Sequence, residues 1–276
     1  MTDTFIVLNS KLIRAAQGLQ DELTPGIIDR KGVFETAGVH DGKIFAWDEH
    51  VVRLKKGLKL LKIVMPQTEK YFLEASRKVI HKNKMNDCNL RISVWKDTKI
   101  NFAVAARRRQ KISAKEFQNG FKAAISPHIH PKRQFSSVKS LEYSLFRKAF
   151  IAAKEKKCDE AILINGSKNV VEGSRTNLFL VKNGRIITPP VSSGCLNGVA
   201  RNYIIALCRE LKNPCDVKNF KVEDLMNADE VFCTNSSLGL MPITAIDHQK
   251  IKQGKIGPIS YQLNELLKAA IARNLT

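Results

Sequence analysis

The chain has 276 residues, of which 43% are hydrophobic and 26% charged, and its formal net charge is +20. These values are ordinary for a globular protein with two modest domains or one large domain. They argue against a membrane protein, because no apolar stretch approaches the length of a bilayer span. We also expect no signal peptide, since the first residues lack a basic segment followed by a long apolar run.

The excess of positive charge has three interpretations. It could attract the phosphates of nucleic acid, steer small anionic substrates, or simply solvate the surface. The lysines are spread along the chain, aromatic residues make up only 7%, and no nucleic-acid motif is present. Nucleic acid is therefore the less favoured partner.

The cysteines and histidines predict neither disulfides nor a metal site. Six cysteines are scattered without CxxC or CxxH spacing, so we expect reduced thiols in a cytoplasmic protein. His128 and His130 form a His-x-His pair, but no third ligand follows at a suitable spacing.

The first half of the chain carries clear strand and helix patterns. Short strands are expected at residues 5–9, 32–39 and 44–46, and paired strands at 89–95 and 100–105. One amphipathic helix follows Asp48, a suitable N-cap, and a second covers residues 68–82. Residues 112–119 then turn polar and lose the hydrophobic period. This change places a domain boundary there, with a domain at 1–112, a linker at 113–120 and a larger domain at 121–276.

Two arginines in the first domain are candidate anion-binding residues. Arg53 lies three residues after His50 on one flank of its helix, where a surface salt bridge is the simpler interpretation. Arg91 lies on one face of its strand and could clamp a carboxylate through two hydrogen bonds, if that face lines a pocket. If the face is solvated, Arg91 has no such role.

Residues 138–181 combine a lysine and a glutamate in a pattern that suggests covalent chemistry. Ser140 is a suitable helix N-cap, which would leave Lys139 just outside the helix start, where a cation is slightly disfavoured. Glu172 precedes the strand at 177–181. An amine that forms a Schiff base and a carboxylate that keeps a ring nitrogen protonated are what pyridoxal phosphate (PLP) chemistry requires. The alternative is an ordinary surface lysine, since the chain is rich in lysine.

Two turns in the second half are candidate phosphate sites. A loop leads through Gly198 into a helix that begins near Val199 and Ala200, and free N–H groups converge at such a helix start. Ser236 and Ser237 lie in a polar turn between two strands and offer hydroxyl and N–H groups. A closing helix is expected at residues 259–273.

Eight segments in order resemble the class IV (fold type IV) PLP-dependent enzymes, which include branched-chain and D-amino-acid aminotransferases and aminodeoxychorismate lyase. They are GVFETAGVHDGK, EHVVRL, RISVWKD, VKSLEY, DEAILIN, VVEGSRTNLFLV, GCLNGVAR and DEVFCTNSSLGLMPI. The resemblance covers residues 29–247 and implies an α/β fold of two domains with the cofactor in the cleft between them. It also implies a homodimer. Two departures stand out: the segment before Gly32 is shorter than in family members, and Ala200 replaces a common threonine.

The resemblance also implies a role for each candidate residue. Lys139 would be the catalytic residue that forms the Schiff base, and Glu172 would hold the pyridine nitrogen. The remaining implied contacts are Arg53, Val199, Ala200, Ser236 and Ser237 to the cofactor phosphate, Tyr143 near the ring oxygen, and Arg91 and Thr36 at the substrate.

Two reactions share these residues. The first is transamination between an amino acid and a 2-oxo acid, and the second is the lyase reaction that releases pyruvate to give p-aminobenzoate. The segments TNSSLGLMPI, LNGVAR and FETAGV lean toward the lyase group, but many relatives with such segments look like transaminases. We favour the transaminase. A basic nucleic-acid-binding protein that has lost its cofactor is the distant alternative.

Overall fold

A computed structural model describes residues 4–15, 30–109, 111–131 and 138–276 of the chain. The described residues fall into two compact units. Unit 1 is drawn from Met1–Gln110, Val138–Ser144 and Ile271–Thr276, and unit 2 from Lys111–Ser137 and Leu145–Ala270.

Among the described strands of unit 1, six form one antiparallel sheet in the order β2-β1-β6-β5-β3-β4. The helices α1 and α2 pack on this sheet, α1 against β3 and α2 against β6 and β1. The elements are β1 (Thr4–Leu8), β2 (Lys11–Ala15), β3 (Gly32–His40), β4 (Lys43–Ile44), α1 (Trp47–Leu60), α2 (Glu69–Lys82), β5 (Cys88–Lys96) and β6 (Ile100–Arg108).

Local sequence signals explain most of unit 1. Thr68 caps α2 by accepting a hydrogen bond from the N–H of Tyr71 at 3.1 Å, as the predicted helix at 68–82 requires. Asp48 is not the N-cap of α1: that position is Ala46, at φ 52°, and Asp48 lies in the first turn. The strand β2 was not predicted, because its hairpin turns at Asn9-Ser10, both at positive φ, without the glycine that usually marks such a turn.

The segment that contains Lys139 belongs to unit 1, whereas the sequence placed it in the second domain. Its backbone pairs with β3: the N–H of Phe34 donates to the carbonyl of Lys139 at 2.9 Å, and the N–H of Leu141 donates to Gly32 at 3.0 Å. Gly32 is required here, since a Cβ would lie 2.4 Å from the carbonyl oxygen of Val94. These long-range hydrogen bonds outweigh the local helix signal at Ser140, whose hydroxyl instead accepts from the N–H of Glu142.

Among the described strands of unit 2, nine form a mixed sheet, with a main path of β12-β11-β10-β13-β14-β7-β8-β9 and β15 paired to β14. Residues 113–120, the predicted linker, contain α3 and its capping box at Ser113. The elements are α3 (Ala114–Asn119), β7 (Phe121–Ile125), α4 (Ser144–Glu155), β8 (Glu160–Ile164), β9 (Val170–Gly173), β10 (Asn177–Lys182), β11 (Arg185–Thr188), α5 (Val199–Glu210), β12 (Cys215–Val217), α6 (Val222–Met226), β13 (Glu230–Asn235), β14 (Gly239–Ile246), β15 (Gln249–Lys250) and α7 (Pro258–Arg273).

The core of unit 2 lies against this sheet. Its members include Leu178, Leu180, Val231 and Met241, all nearly or fully inaccessible to solvent. At the start of α7, the buried Glu230 accepts the N–H groups of Ile259 and Ser260 at 3.1 and 2.7 Å. A carboxylate at this position satisfies two otherwise unpaired donors of the helix.

All six cysteines are free thiols. Within the described ranges, none of the helices has the length and apolar character that crossing a bilayer needs. The same residues contain no cluster of three or more potential metal ligands.

Candidate active site

Lys139 lies in the extended segment before α4, not beside a helix start. The predicted helix at Ser140 is wrong in its start, since α4 begins at Ser144. The argument that a helix N-terminus would favour the neutral amine of Lys139 therefore does not apply. The position of Lys139 is set instead by its backbone pairing with Phe34.

Three of the predicted site residues surround one aromatic ring, that of Phe34. The Nζ of Lys139 lies 4.7 Å from the ring centroid, and the guanidinium carbon of Arg91 lies 4.0 Å from it. The ring of Tyr143 meets it edge-on, with centroids 5.6 Å apart. A phenyl face attracts cations, so the Phe34 ring contacts both an amine and a guanidinium. We call Phe34, Arg91, Lys139 and Tyr143 the Phe34 cluster.

The sheet register places Thr36 next to this cluster. Thr36 is the direct partner of Arg91 across the β3–β5 pair, and Phe34 and Thr36 share one face of β3. The Nε of Arg91 donates to the hydroxyl of Ser93 at 3.2 Å. Burial, and then the positive charge of Arg107, lower the pKa of Arg91 to about 10. Arg91 is therefore partly shielded from water, and it stays charged at neutral pH.

Arg53 makes an ion pair that is largely shielded from water, not the surface salt bridge that the sequence favoured. Its Nε and Nη2 donate to the two carboxylate oxygens of Glu35, each at 2.7 Å. The Nδ1 of His50 lies 2.7 Å from the same carboxylate. The Arg53 side chain is 11% exposed and that of Glu35 only 4%. This fork fixes the orientation of the guanidinium, because both hydrogen bonds lie in its plane.

The pKa values in this group follow from burial and charge. Burial would raise the pKa of Glu35, but the charge and hydrogen bonds of Arg53, with the hydrogen bond of His50, lower it to about 2. Burial also lowers the pKa of His50, against the hydrogen bond and charge of Glu35, and the positive charges of Arg53 and Lys139 lower it further. Glu35 is therefore a carboxylate, and His50 is neutral with its proton on Nδ1.

In unit 2, Glu172 is a buried carboxyl group with two contacts. Its Oε2 accepts the N–H of Leu196 at 2.9 Å, and its Oε1 lies 3.2 Å from Nε2 of His130. A second buried carboxylate, Glu160, shapes the turn that follows β9. It accepts the N–H of Ser174 at 3.0 Å and the hydroxyl of Thr176 at 3.0 Å, and also the Ser174 hydroxyl.

The start of α5 has the features of an anion-binding site. Val199 and Ala200 form its first turn, and the N-cap Gly198 contributes no side-chain hydrogen bond. A Cβ at Gly198 would lie 2.0 Å from Oδ1 of Asn177, so the backbone approaches that side chain closely. Uncapped N–H groups at a helix start favour phosphate or carboxylate.

The turn at Ser236 and Ser237 offers fewer donors than the sequence suggested. Oδ1 of Asn235 accepts the N–H groups of Ser237 at 2.9 Å and Leu238 at 2.7 Å. The N–H of Ser237 is therefore used within the turn, and the two serine hydroxyls are among the polar groups that could reach a ligand.

Sequence reasoning missed the partners that orient these residues. Phe34, Glu35 and His50 were visible only as parts of a strand and a helix, and His130 was considered only as a metal ligand. The structure brings Lys139, Tyr143, Arg91 and Thr36 together in unit 1. Alternation along β3 puts Glu35, with Arg53, on the opposite face from Phe34.

Comparison with known proteins identifies the family. The family model for amino-transferase class IV matches residues 32–246. A putative branched-chain-amino-acid aminotransferase of Methanocaldococcus jannaschii is 29% identical over 95% of this chain and 95% of its own length. The D-alanine aminotransferase of Listeria monocytogenes is 27% identical over 97% and 96%.

Solved structures agree with the predicted α/β fold. The branched-chain aminotransferase of Thermoproteus uzoniensis with norvaline superposes with a TM-score of 0.87 at 25% identity, covering 100% of this chain and 99% of its own. The branched-chain amino acid aminotransferase of Thermobaculum terrenum in its PLP form gives 0.85 at 22% identity, covering 99% and 98%. Each of these relatives is an aminotransferase, which favours the predicted transaminase over the lyase. The chain therefore belongs to the amino-transferase class IV family.

Proposed function

We propose that this chain is a PLP-dependent aminotransferase that transfers an amino group between an amino acid and a 2-oxo acid. The observation that carries the proposal is the Phe34 cluster, in which an amine and a guanidinium flank one ring. An amine is the group that binds a carbonyl cofactor covalently, and a guanidinium is the group that grips a substrate carboxylate. The solved relative in its PLP form supports the choice of cofactor.

The residues present fit this cofactor. Lys139 would hold it covalently through Nζ, and Tyr143 would contact it near the ring oxygen. Glu172 would accept the ring N–H, since an ionised carboxylate has about four acceptor positions and only two contacts here. Arg53, oriented by Glu35, is assigned to the phosphate.

The uncapped start of α5 at Val199 and Ala200, with the hydroxyls of Ser236 and Ser237, is also assigned to the phosphate. When bound, PLP supplies an electron sink that stabilises negative charge at the substrate Cα. Lys139 is then the proposed general base and acid that moves the Cα proton. Arg91 and Thr36 would position the substrate.

Covalent trapping tests this assignment. Borohydride treatment of the protein loaded with PLP should fix the cofactor to the peptide that contains Lys139, and Lys139→Arg should remove both the label and turnover. Lys148→Arg, at an exposed position on α4, is the matched control and should keep both. A label on any other peptide contradicts the assignment of Lys139.

Kinetics test the substrate contacts. Arg91→Lys keeps the charge but loses the planar fork, so KM should rise about tenfold or more while kcat changes less. Unchanged kinetics would place Arg91 outside the substrate site. A panel of L- and D-amino donors, including branched-chain amino acids and D-alanine, would define the donor, since relatives with both names match over nearly the whole chain.

The remaining proposals concern assembly and surroundings. A homodimer is consistent with the family, and a location in the cytoplasm is consistent with the six free thiols. Sedimentation equilibrium would test the dimer, and a monomer would refute it. Binding to DNA that weakens steeply with salt, in protein that retains no PLP, would instead favour the nucleic-acid alternative.

A further inference from the structure

His130 is buried beside Glu172 and is held rigidly. Its side chain is 1% exposed, and the N–H of His130 donates to the carbonyl of Ile164 at 2.7 Å. The ring of Phe146 packs edge-on at a centroid distance of 5.5 Å. Gly194, at φ 116°, covers the ring, and a Cβ at Gly194 would lie 3.1 Å from both Cε1 and Nδ1. The imidazole therefore keeps one orientation.

The two neighbours of the ring determine its protons. Nδ1 lies 3.0 Å from the carbonyl oxygen of Pro131, which can only accept, so Nδ1 carries a proton. Nε2 lies 3.2 Å from Oε1 of Glu172. A bare Nε2 facing an ionised carboxylate would set two lone pairs against each other. One proton must therefore lie between Nε2 and Oε1.

With this one shared proton, the side chains of His130 and Glu172 together carry no net charge. Either His130 is an imidazolium beside a carboxylate, or it is neutral beside a protonated carboxyl group. In both cases the proton fixes which oxygen faces the histidine, while the N–H of Leu196 fixes the other at 2.9 Å. The plane of the Glu172 carboxyl group is thereby set from both ends.

We propose that His130 is a positioning residue that shares a proton with Glu172 and so fixes the orientation of the carboxyl group that holds the cofactor ring nitrogen. The functional half of this inference rests on the proposed role of Glu172 toward PLP. The proton-sharing half concerns only residues of this chain.

Histidine NMR tests the shared proton in the full-length chain, first without and then with added PLP. The six histidines are labelled with ¹⁵N, and His130 is assigned from the signal lost in His130→Gln. We expect a protonated Nδ1 and an Nε2 bonded to a strongly deshielded proton. In Glu172→Gln the amide can donate to Nε2, so His130 should become neutral with its proton on Nδ1. A wild-type ring protonated only on Nε2, or a His130 spectrum unchanged by Glu172→Gln, overturns the proposal.

Cofactor binding tests the positioning role. His130→Phe keeps a flat ring but donates nothing, and should raise the PLP dissociation constant about tenfold, the usual cost of losing a hydrogen bond to a charged group. His130→Gln can still donate to Glu172 and should restore most of the affinity. Equal affinities for wild type and both variants would refute the positioning role.

The shared proton and the positioning role can each be refuted separately. If wild type binds no PLP, the proposed function fails, while the proton between His130 and Glu172 is still measured without cofactor. Near-ultraviolet circular dichroism of each variant checks the fold. If His130→Phe alone is misfolded, the wild-type and Glu172→Gln spectra decide the shared proton, and a PLP affinity of His130→Gln far below that of wild type overturns the positioning role.

Discussion

Replacing Glu35 by glutamine should destabilise unit 1 by about 3 kcal/mol at pH 7. The pKa of Glu35 falls from an ordinary 4.5 to about 2, and lowering a pKa by one corresponds to about 1.36 kcal/mol of stability. Glutamine resembles the protonated carboxyl group, so it loses the part of the stability that depends on ionisation. It also leaves the guanidinium of Arg53 without its partner charge.

The sign of the pH dependence follows from the same lowered pKa. A carboxyl group with a lowered pKa contributes its full stability above pH 4.5 and loses it as the pH falls from 4.5 toward about 2. The difference between wild type and Glu35→Gln should therefore shrink over that range. A difference that stays constant with pH would mean that packing, not charge, explains the loss.

Urea unfolding followed by tryptophan fluorescence reports on unit 1 alone. The chain has two tryptophans, Trp47 and Trp95, and both are buried in that unit. The matched control is Glu69→Gln, which breaks an exposed pair with Lys55 in the same unit and should cost only about 0.2–1 kcal/mol. Equal losses for the two variants would refute the argument that burial makes the Glu35 pair strong.

Three further changes have defined outcomes. Gly32→Ala places a Cβ 2.4 Å from the carbonyl oxygen of Val94, a backbone atom, and should destabilise unit 1 by about 1–3 kcal/mol or more in the same urea assay. His40→Gln should make the protein less sensitive to acid. Burial and the guanidinium of Arg109 lower the pKa of His40 to about 4, so wild type loses stability as the pH falls from 6.5 toward 4. The melting temperature should therefore fall less between pH 7 and pH 4.5 in the variant than in wild type, and an equal fall in both would contradict the argument. Gly198→Ala should displace the side chain of Asn177. It should weaken PLP binding in an absorbance titration while changing the melting temperature of unit 2 only slightly, and an unchanged affinity would argue against a phosphate site there.

Elements with their own local signals were predictable from the sequence. The helix α2 has a threonine cap and an apolar face with Phe72 and Val79, and its predicted range agrees with Glu69–Lys82 to within one residue. The paired strands predicted at 89–95 and 100–105 also fall within β5 and β6. Such elements are specified by residues within a few positions of each other, so a single sequence contains the information.

The place of Lys139 could not be predicted in the same way. Ser140 looked like a helix cap, but the backbone around it pairs with β3, more than a hundred residues earlier in the chain. Nothing in the residues near Ser140 records that pairing. The ion pair of Arg53 with Glu35 and the contact of His130 with Glu172 join residues 18 and 42 positions apart. Such partners become visible only when the elements pack.

The strand β3 shows why those distant partners matter to the candidate site. Its alternation turns Phe34 toward two cations on one face and turns Glu35 toward a third cation on the other. Glu35 neutralises Arg53, because its carboxylate is fully ionised and bonded in a fork. On the opposite face an uncharged ring takes the place of a carboxylate. The attraction of Arg91 to that ring is weaker than an ion pair, so its charge remains able to draw an anion. One strand thus orients one arginine through a carboxylate and leaves another against an uncharged ring, which suits the roles proposed above for Arg53 at the cofactor phosphate and for Arg91 at the substrate carboxylate.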